Sequence, residues 1–245
     1  MDTLTTRYEQ VLQRITKAAQ HAGRNPANIT LVSVTKTWPA ETVLAAYEVG
    51  MRHFGENRPE ELGEKRPFIE STLGTDNGIT WHLIGTLQSR KTRLAAEHAD
   101  VFHALDRSKI AARLSEQAGD FQRRLPIFLE VNVSGEMSKS GFSAHNWEND
   151  ATQQAKLRTM VQAVMDMPHL ELVGLMTMAP WDVPENEIRT VFRRTRELAG
   201  WLETAVSGLT LPYLSMGMTD DFEIAIAEGA THVRVGRAIF GSRHT

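Results

Sequence analysis

Residues 29–36 read I-T-L-V-S-V-T-K, a short run of apolar and β-branched residues that is typical of a buried strand. Thr-Trp-Pro follows it, and Pro39 suits the first turn of a helix. The chain is therefore predicted to pass from strand to helix just after Lys36. Because side chains alternate with a period of two along a strand, Val32, Val34 and Lys36 share one face.

Lys36 is the first candidate for chemistry. In α/β folds the functional residues lie at the carboxyl ends of the strands, which is where this lysine falls. A lysine held among apolar groups loses proton affinity because desolvation disfavours its charged form, and a neutral amine can attack an aldehyde. The alternative is a lysine that only extends its charged end into solvent from the end of a strand.

The strand–helix pattern repeats along the chain. Strict alternation of this kind requires parallel strands joined by right-handed crossovers. Eight units in 245 residues fit a closed (β/α)8 barrel, the TIM barrel, better than an open doubly wound sheet, and no G-x-G-x-x-G follows the first strand. The predicted strands are 29–36, 51–55, 79–85, 101–105, 125–133, 170–178, 212–216 and 232–236. The predicted helices are 2–22, 40–49, 58–70, 88–98, 107–119, 148–167, 184–206 and 220–228, with loops at 71–78 and 135–147.

The chain is predicted to form a single domain. Its length matches that of one barrel, and no linker rich in Pro, Gly or Ser divides it. We expect residues 1–245 to form one α/β TIM-barrel domain, with an extra leading helix in residues 1–23 and the barrel in residues 29–245. A closed barrel without a long exposed apolar helix face is expected to be a monomer.

Composition argues against several classes of function. A net charge of −3 disfavours nucleic acid or an anionic membrane as a partner. The absence of cysteine excludes disulfides, thiolate metal sites and cysteine nucleophiles, and no histidine pair has the spacing of a zinc protease, so no metal is expected. The sequence has no secretory signal and no apolar run of membrane-spanning length, so a cytoplasmic protein is expected.

A second candidate site falls at the ends of the seventh and eighth strands. Ser215 and Gly217 lie at the seventh, and Gly236 and Arg237 at the eighth. Barrels commonly bind phosphate there, because glycines let backbone N–H groups approach the oxygens and a helix N-terminus adds its positive end. The alternative is that the two glycines only permit tight turns and that a neighbouring polar residue only caps the next helix.

A phosphate site across the barrel mouth from Lys36 suggests a ligand with a phosphate at one end and an aldehyde at the other, and pyridoxal 5'-phosphate (PLP) is such a ligand. Arg234 would face its ring nitrogen. Because an arginine does not give up its proton, it would weaken the ring as an electron sink and favour mild chemistry. Alternatively, Arg234 forms a salt bridge within the barrel. Asp220 and Asp221 would repel a phosphate unless their side chains point away.

Several motifs in this order resemble, along nearly the whole chain, the small PLP-binding proteins of the YggS/PROSC group, also called PLP homeostasis proteins. The matching segments are V-T-K-T at 34–37, H-F-G-E-N at 53–57, W-H-L-I-G-x-L-Q-S at 81–89, S-K-S-G at 138–141, G-L-M-T at 174–177, L-S-M-G-M-T-D-D at 214–221 and V-R-V-G-x-A-I-F-G-x-R at 233–243.

The resemblance implies a fold-type III PLP barrel like the N-terminal domain of alanine racemase, with Lys36 forming the Schiff base. It implies phosphate contacts from Ser215, Gly236 and Arg237, with Arg234 at the pyridine nitrogen and Asn57 and His82 near the ring. No catalytic or metal-binding residue is assigned. The predicted cofactor-binding residues are Lys36, Asn57, His82, Ser215, Gly217, Arg234, Gly236 and Arg237.

Two of these residues have structural alternatives, and some positions depart from the family pattern. Asn57, followed by Pro59 and Glu60, also fits a helix N-cap with a reciprocal glutamate. His82, between apolar neighbours, also fits a hydrogen-bonded core histidine. The departures are Trp38 for a lysine, Arg58 for a tyrosine, Thr86 for a proline, Arg90 for an asparagine and Arg237 for a threonine.

Two functions remain open. The first is a protein that binds PLP without strong catalytic turnover, serves PLP homeostasis and delivers the cofactor to apo PLP-dependent enzymes. The second is a PLP-dependent enzyme acting on amino acids, such as a racemase. A racemase of this barrel type needs a tyrosine from a separate β domain, and the only tyrosines here are Tyr8, Tyr47 and Tyr213. The binding function is therefore favoured.

Overall fold

The computed structural model describes residues 3–241 and alternates strands and helices nearly as the sequence predicts. The start of the predicted leading helix at residue 2, the outer ends of the predicted domain and the last two residues of the 233–243 motif lie outside the described residues. The strands are β1 Thr30–Val34, β2 His53–Glu56, β3 Thr80–Leu83, β4 Val101–Leu105, β5 Leu125–Asn132, β6 Phe142–Ser143, β7 Leu170–Met176, β8 Tyr213–Ser215 and β9 His232–Val235. The helices are α1 Leu4–His21, α2 Ala40–Glu48, α3 Pro59–Leu73, α4 Thr92–His98, α5 Ser108–Asp120, α6 Ala151–Met165, α7 Glu185–Ala205, α8 Phe222–Ala227 and α9 Arg237–Phe240.

Within residues 3–241, eight of the strands form a closed parallel barrel. Their order is β4-β3-β2-β1-β9-β8-β7-β5, and pairing between β4 and β5 closes the ring. The register places Val32 of β1 beside Arg234 of β9, and Glu130 of β5 beside Met176 of β7. The predicted α/β TIM-barrel fold is therefore confirmed, and the carboxyl ends of all eight strands meet at one mouth.

The barrel closes because its strands are apolar on both faces and can be covered by helices outside while side chains fill the inside. Phe54, Trp81 and Phe102, from three successive strands, are all almost fully buried. The leading helix α1 packs against α8 and α9 through a buried apolar face that includes Val11 and Ile15. The extra N-terminal helix is thus part of the outer layer of the barrel.

Most element ends shift by a few residues; α3, for example, runs to Leu73, into the predicted loop 71–78. Three further features differ from the prediction. The predicted loop 135–147 contains β6, whose residues Phe142 and Ser143 pair with β5; two residues are too few to show a strand periodicity. The first strand ends at Val34 and not at Lys36. The short helix α9 was not predicted, because four residues are too few to show a helical period.

Among the helices of residues 3–241, none combines the length and the apolar character needed to cross a lipid bilayer.

Candidate functional site

The main cavity of the barrel opens at the carboxyl ends of the strands and has a volume of about 590 Å³. This volume is typical of small-molecule sites. Five of the eight predicted cofactor-binding residues line it, drawn from the ends of β1, β2 and β9: Lys36, Asn57, Arg234, Gly236 and Arg237. The other three, His82, Ser215 and Gly217, do not line it.

Lys36 lies in a turn just beyond the end of β1. The turn is closed by a hydrogen bond from the Trp38 N–H to the Thr35 carbonyl at 3.0 Å. Thr37, the third residue of the turn, has a φ of 66°, a left-handed conformation that β-branched residues rarely adopt. Its N–H donates to Oε2 of Glu61 at 2.7 Å, which stabilises this conformation. Lys36 is half-buried and lines the cavity.

A buried ion pair lies behind this turn. Nζ of Lys65 donates to Oε1 of Glu56 at 2.6 Å and to the Thr35 carbonyl at 2.9 Å. The Thr35 hydroxyl also donates to Oε1 of Glu56, at 2.6 Å. Burial raises the pKa of Glu56 to about 7, although Lys65 opposes the shift. The pair therefore fixes the residue immediately before Lys36 through both its backbone and its side chain.

Asn57 lies at the cavity wall and does not cap α3. The N-cap of that helix is Arg58, and no side chain caps it. The interpretation of Asn57 as an N-cap is therefore wrong: the chain turns into the helix one residue later, because Pro59 is its first residue and restricts the residue before it to extended conformations. The Asn57 carbonyl is also packed so tightly that a Cβ on Gly85 would lie 2.3 Å from it.

Arg234 projects from β9 into the barrel and is almost fully buried. Its guanidinium donates to Oγ of Ser215 at 2.7 Å and to the Thr177 carbonyl at 3.1 Å. Within residues 3–241 it forms no ion pair, so the salt-bridge alternative is not supported. Burial lowers the pKa of Arg234 to about 10, while Asp221 and Glu130 oppose that shift. The arginine remains charged near neutral pH and contributes a fixed cation to the cavity wall.

A chain of histidines crosses the barrel interior and ends at the partner of Arg234. His53 and His82 are joined by a hydrogen bond of 3.0 Å, His82 and His103 by one of 2.8 Å, and His103 and Ser215 by one of 2.8 Å. Burial lowers the pKa of His82 and of His103 well below the usual value, so both rings are neutral. His82 is thus a hydrogen-bonded core histidine, and it reaches the cavity only through this chain.

Gly236 is the N-cap of α9, and Arg237 is its first residue. The Ile239 and Phe240 N–H groups donate to the Gly236 carbonyl, and within residues 3–241 the N–H groups of Arg237 and Ala238 remain available to an anion. Arg237 donates to Oδ2 of Asp220 at 2.5 Å, and Oδ1 of Asp221 accepts the Met218 N–H. Both aspartates therefore have partners, which reduces the repulsion of a phosphate expected from the sequence.

Gly217 serves the backbone of the barrel. Its φ is 94°, and a Cβ at this position would lie 2.6 Å from the Cβ of Ala225 and 2.9 Å from the Cα of Phe222. Its carbonyl accepts the Arg234 N–H at 2.9 Å. The alternative in which this glycine permits a tight turn accounts for these contacts.

Trp38 and Arg58, two of the residues that differ from the family pattern, have different environments. Trp38 lines the cavity and packs against Phe240 with a ring-centroid distance of 6.2 Å. Arg58 is exposed and lies 3.8 Å from Glu61. The tryptophan therefore shapes the cavity, whereas the arginine lies on the surface beside it.

Glu130 is a cavity residue that the sequence analysis did not assign. It lines the cavity together with Lys36 and Arg234, and only 2% of its surface is exposed. Its Oε2 is buried and has no hydrogen-bond partner. Burial raises its pKa to about 7. A glutamate inside the apolar strand run I-F-L-E-V at 127–131 was the signal that could have indicated it.

No cluster of three or more His, Asp, Glu or Cys side chains in residues 3–241 is arranged to hold a metal ion.

Comparisons with known proteins agree with this architecture. A family model described as "Alanine racemase, N-terminal domain" matches residues 7–244. A protein of Pseudomonas aeruginosa named "Pyridoxal phosphate homeostasis protein" is 42% identical over 243 residues, which are 99% of this chain and 97% of the relative. A protein of the same name from Escherichia coli K12 is 41% identical over 249 residues, covering 99% of this chain and 98% of the relative.

Solved structures show the same likeness. PipY of Synechococcus elongatus, in a structure with PLP bound, is 34% identical with a TM-score of 0.77, covering 93% of this chain and 100% of that chain. An alanine racemase of Clostridium difficile has a TM-score of 0.70 at 14% identity, covering 100% of this chain and 58% of that chain. The second likeness concerns the fold alone.

Proposed function

The chain belongs to the alanine racemase N-terminal domain family and, within it, to the PLP homeostasis proteins, and from this premise we propose that it binds pyridoxal 5'-phosphate and serves PLP homeostasis in the cell. One observation carries the proposal: a single cavity is lined by the Lys36 amine, the Arg234 guanidinium and the first turn of α9. These are the groups that an aldehyde, a pyridine nitrogen and a phosphate require.

The cavity fits this cofactor in size and in the nature of its groups. PLP, when bound, supplies an aldehyde that an amine can attack and a ring that accepts electrons. Lys36 holds the aldehyde end. Gly236 and Arg237 bind the phosphate through the backbone and a positive charge, and Asn57 contacts the ring from the end of β2. For His82, Ser215 and Gly217 we propose a supporting role, because they hold Arg234 or the backbone beside it.

Arg234 favours binding over catalysis. Two of its donors are committed to Ser215 and to the Thr177 carbonyl, so its position is fixed. Because a guanidinium gives up no proton at physiological pH, it keeps the ring nitrogen opposite it unprotonated. A ring in that state withdraws electrons weakly, which suits a protein that stores and releases a reactive aldehyde.

The position of the tyrosines also favours binding over a racemase function. The three tyrosines, Tyr8, Tyr47 and Tyr213, are absent from the cavity wall. Tyr213 is the first residue of β8, at the end of the strand away from the mouth, and no tyrosine is therefore available to exchange a proton across from Lys36. We further propose that the chain acts in the cytoplasm as a single-domain monomer and passes its cofactor to apo PLP-dependent enzymes.

A transfer experiment tests the proposal. Purified protein loaded with PLP and freed of excess cofactor is mixed with an apo PLP-dependent enzyme, and recovery of that enzyme's activity is followed beside assays for racemisation and transamination of amino acids. We expect recovery without amino-acid turnover, and Lys36→Ala should neither retain nor deliver the cofactor. Lys91→Ala, outside the cavity, is the matched control. Failure to retain the cofactor, or robust turnover abolished by Lys36→Ala, would overturn the proposal.

A further inference from the structure

Glu130 and Asp220 both line the cavity, but Asp220 pairs with Arg237, whereas the proposed binding mode gives the carboxyl group of Glu130 no partner. Glu130 lies near the carboxyl end of β5, beside Met176 of β7. It is almost completely buried, lines the cavity, and has one carboxyl oxygen with no hydrogen-bond partner. A buried polar atom without a partner is costly, so an unpartnered carboxyl oxygen at a cavity wall indicates that a ligand supplies the missing partner.

The charged groups around Glu130 do not supply that partner. On the side of β4 and α5 lie Asp106, which repels it, and Arg107, which attracts it but donates to Oδ1 of Asp106 at 3.0 Å and to the Leu87 carbonyl. On the side of β9 lies Arg234, whose donors reach Ser215 and Thr177 instead. Neither arginine forms an ion pair with Glu130. Burial, together with the repulsion from Asp106, outweighs the attraction of the two arginines and favours the neutral carboxylic acid, which can donate a hydrogen bond.

Resting on the proposed function, we propose that Glu130 is a further cofactor-binding residue, which in its neutral form donates a hydrogen bond to a ring oxygen of the ligand and in its ionised form weakens binding. The ring oxygen is favoured over the phosphate because of strand order. The phosphate is expected at Gly236 and Arg237, after β9, whereas Glu130 lies on β5, three strands away around the barrel. A neutral donor also places no second negative charge beside an anionic ligand.

The test uses pyridoxine 5'-phosphate, which has the ring oxygen and the phosphate but no aldehyde, so formation of a Schiff base with Lys36 does not contribute to its affinity. Dissociation constants are measured by calorimetry for the wild type and for Glu130→Gln, whose amide donates a hydrogen bond at every pH. The two constants should agree within about twofold near pH 6. Near pH 8.5 the wild type should bind at least about fivefold more weakly than Glu130→Gln, because only its side chain has lost a proton.

A matched control separates a local contact from a general charge effect. Glu136 lies on the loop after β5 and pairs with Lys139, and that bond lowers its pKa, so it stays ionised over the same range. Glu136→Gln should show a constant ratio to the wild type at both pH values. Near pH 8, infrared difference spectra of the wild type should also gain a protonated carboxyl band on binding that Glu130→Gln lacks.

Two failures are distinguishable. If the wild type binds neither pyridoxine 5'-phosphate nor PLP, the proposed function itself fails. If PLP binds the wild type but pyridoxine 5'-phosphate binds neither protein, the role of Glu130 is refuted while the proposed function stands. If pyridoxine 5'-phosphate binds both with a ratio that is the same at both pH values, or if no protonated carboxyl band is seen on binding, the role of Glu130 is refuted while the proposed function stands.

Discussion

Two buried glutamates, Glu56 behind the Lys36 turn and Glu130 at the cavity wall, differ in their partners. Burial raises the pKa of Glu56 and of Glu130 to about 7 in both cases. Glu56 is paired behind the Lys36 turn: its Oε1 accepts hydrogen bonds from Lys65 and Thr35, although its Oε2 has no partner among the described residues. Glu130 faces the cavity with its own Oε2 unpartnered, and neither Arg107 nor Arg234 forms an ion pair with it. The same degree of burial thus accompanies two roles: a paired carboxyl holds the backbone in place, and an unpaired one is available to a ligand.

The largest expected effect concerns the buried ion pair between Lys65 and Glu56. Lys65→Met removes the cation from a buried pair and should lower the free energy of unfolding by about 3–5 kcal/mol at pH 8. The loss should be smaller at pH 6. Without Lys65, the pKa of Glu56 in the folded protein lies still further above its value in the unfolded chain. The variant therefore keeps its stability at low pH, where Glu56 is neutral, and loses it as the pH rises. Urea unfolding of the apo-protein at both pH values measures this.

The control for that change is Lys91→Met, which removes a cation from a partly exposed pair with Glu60. It should cost less than about 1 kcal/mol. Equal losses for the two variants, or a Lys65→Met loss that does not grow with pH, would mean that the buried pair does not stabilise the turn.

The second effect concerns Glu130, where substitution by glutamine should raise the free energy of unfolding near pH 7 and not lower it. The pKa of Glu130 is raised from about 4.5 in the unfolded chain to about 7, so its contribution to stability is complete below pH 4.5 and is lost as pH rises to 7. The loss amounts to about 3 kcal/mol by linkage. Glu130→Gln cannot ionise and should lack this part of the pH dependence of apo-protein unfolding.

Glu56→Gln sharpens the contrast between the two sides. It deprives Lys65 of its charged acceptor and should destabilise the apo-protein near pH 7, where Glu130→Gln stabilises it. The midpoint of denaturant unfolding between pH 4.5 and 8 measures both. If both variants shift the midpoint in the same direction across this range, the distinction between a paired and an unpaired carboxyl fails.

The third effect tests the support of Arg234. His103→Leu leaves Ser215 and His82 without their shared partner, and each buried unpaired group costs about 1–3 kcal/mol. It should also shift the absorption maximum of bound PLP, because the Ser215 hydroxyl that accepts from Arg234 is no longer held by His103. His21→Leu, on the exposed face of α1, is the control. An unchanged spectrum in a stable His103→Leu protein would show that the histidine chain does not position the arginine.

The smallest effect concerns the turn itself. Asparagine tolerates left-handed backbone better than a β-branched residue, so Thr37→Asn should stabilise the protein by about 0.5–1 kcal/mol, independently of pH. Thr204→Asn, inside α7, provides a comparison without left-handed backbone and should give no gain. Thermal unfolding of the two variants measures the difference. A loss at Thr37 would mean that its side chain, and not the Glu61 bond, holds the conformation.

Much of the fold was predictable because its signals are local. Eight apolar runs separated by amphipathic segments predicted the strands within a few residues, and the alternation predicted a parallel barrel. The motifs around Lys36, at 214–221 and at 233–243 predicted the family, which the comparisons confirm. The spacing of Lys36, Asn57 and Arg234 relative to strand ends was sufficient to bring them to one mouth.

The rest depended on contacts between distant segments. His103 and Ser215 are 112 residues apart in sequence, so only the closed barrel reveals that they bond. Glu56 and Lys65 lie on a strand and the following helix, and periodicity indicates their sides but not their pairing. Glu130 lies in an apolar run, and the residue pattern does not show that its carboxyl group faces a cavity. Partners, unlike strand positions, cannot be predicted from residue patterns alone.

The most direct test of the central claim locates the covalent link. The protein is mixed with PLP, reduced with borohydride to make the link between amine and aldehyde permanent, digested and analysed by mass spectrometry. The cofactor should be found on Lys36 and, at lower occupancy or not at all, on Lys65, Lys91 and Lys139. Protein that takes up no cofactor, or cofactor spread evenly over surface lysines with Lys36 unmodified, would contradict the claim that this cavity is built around the amine of Lys36.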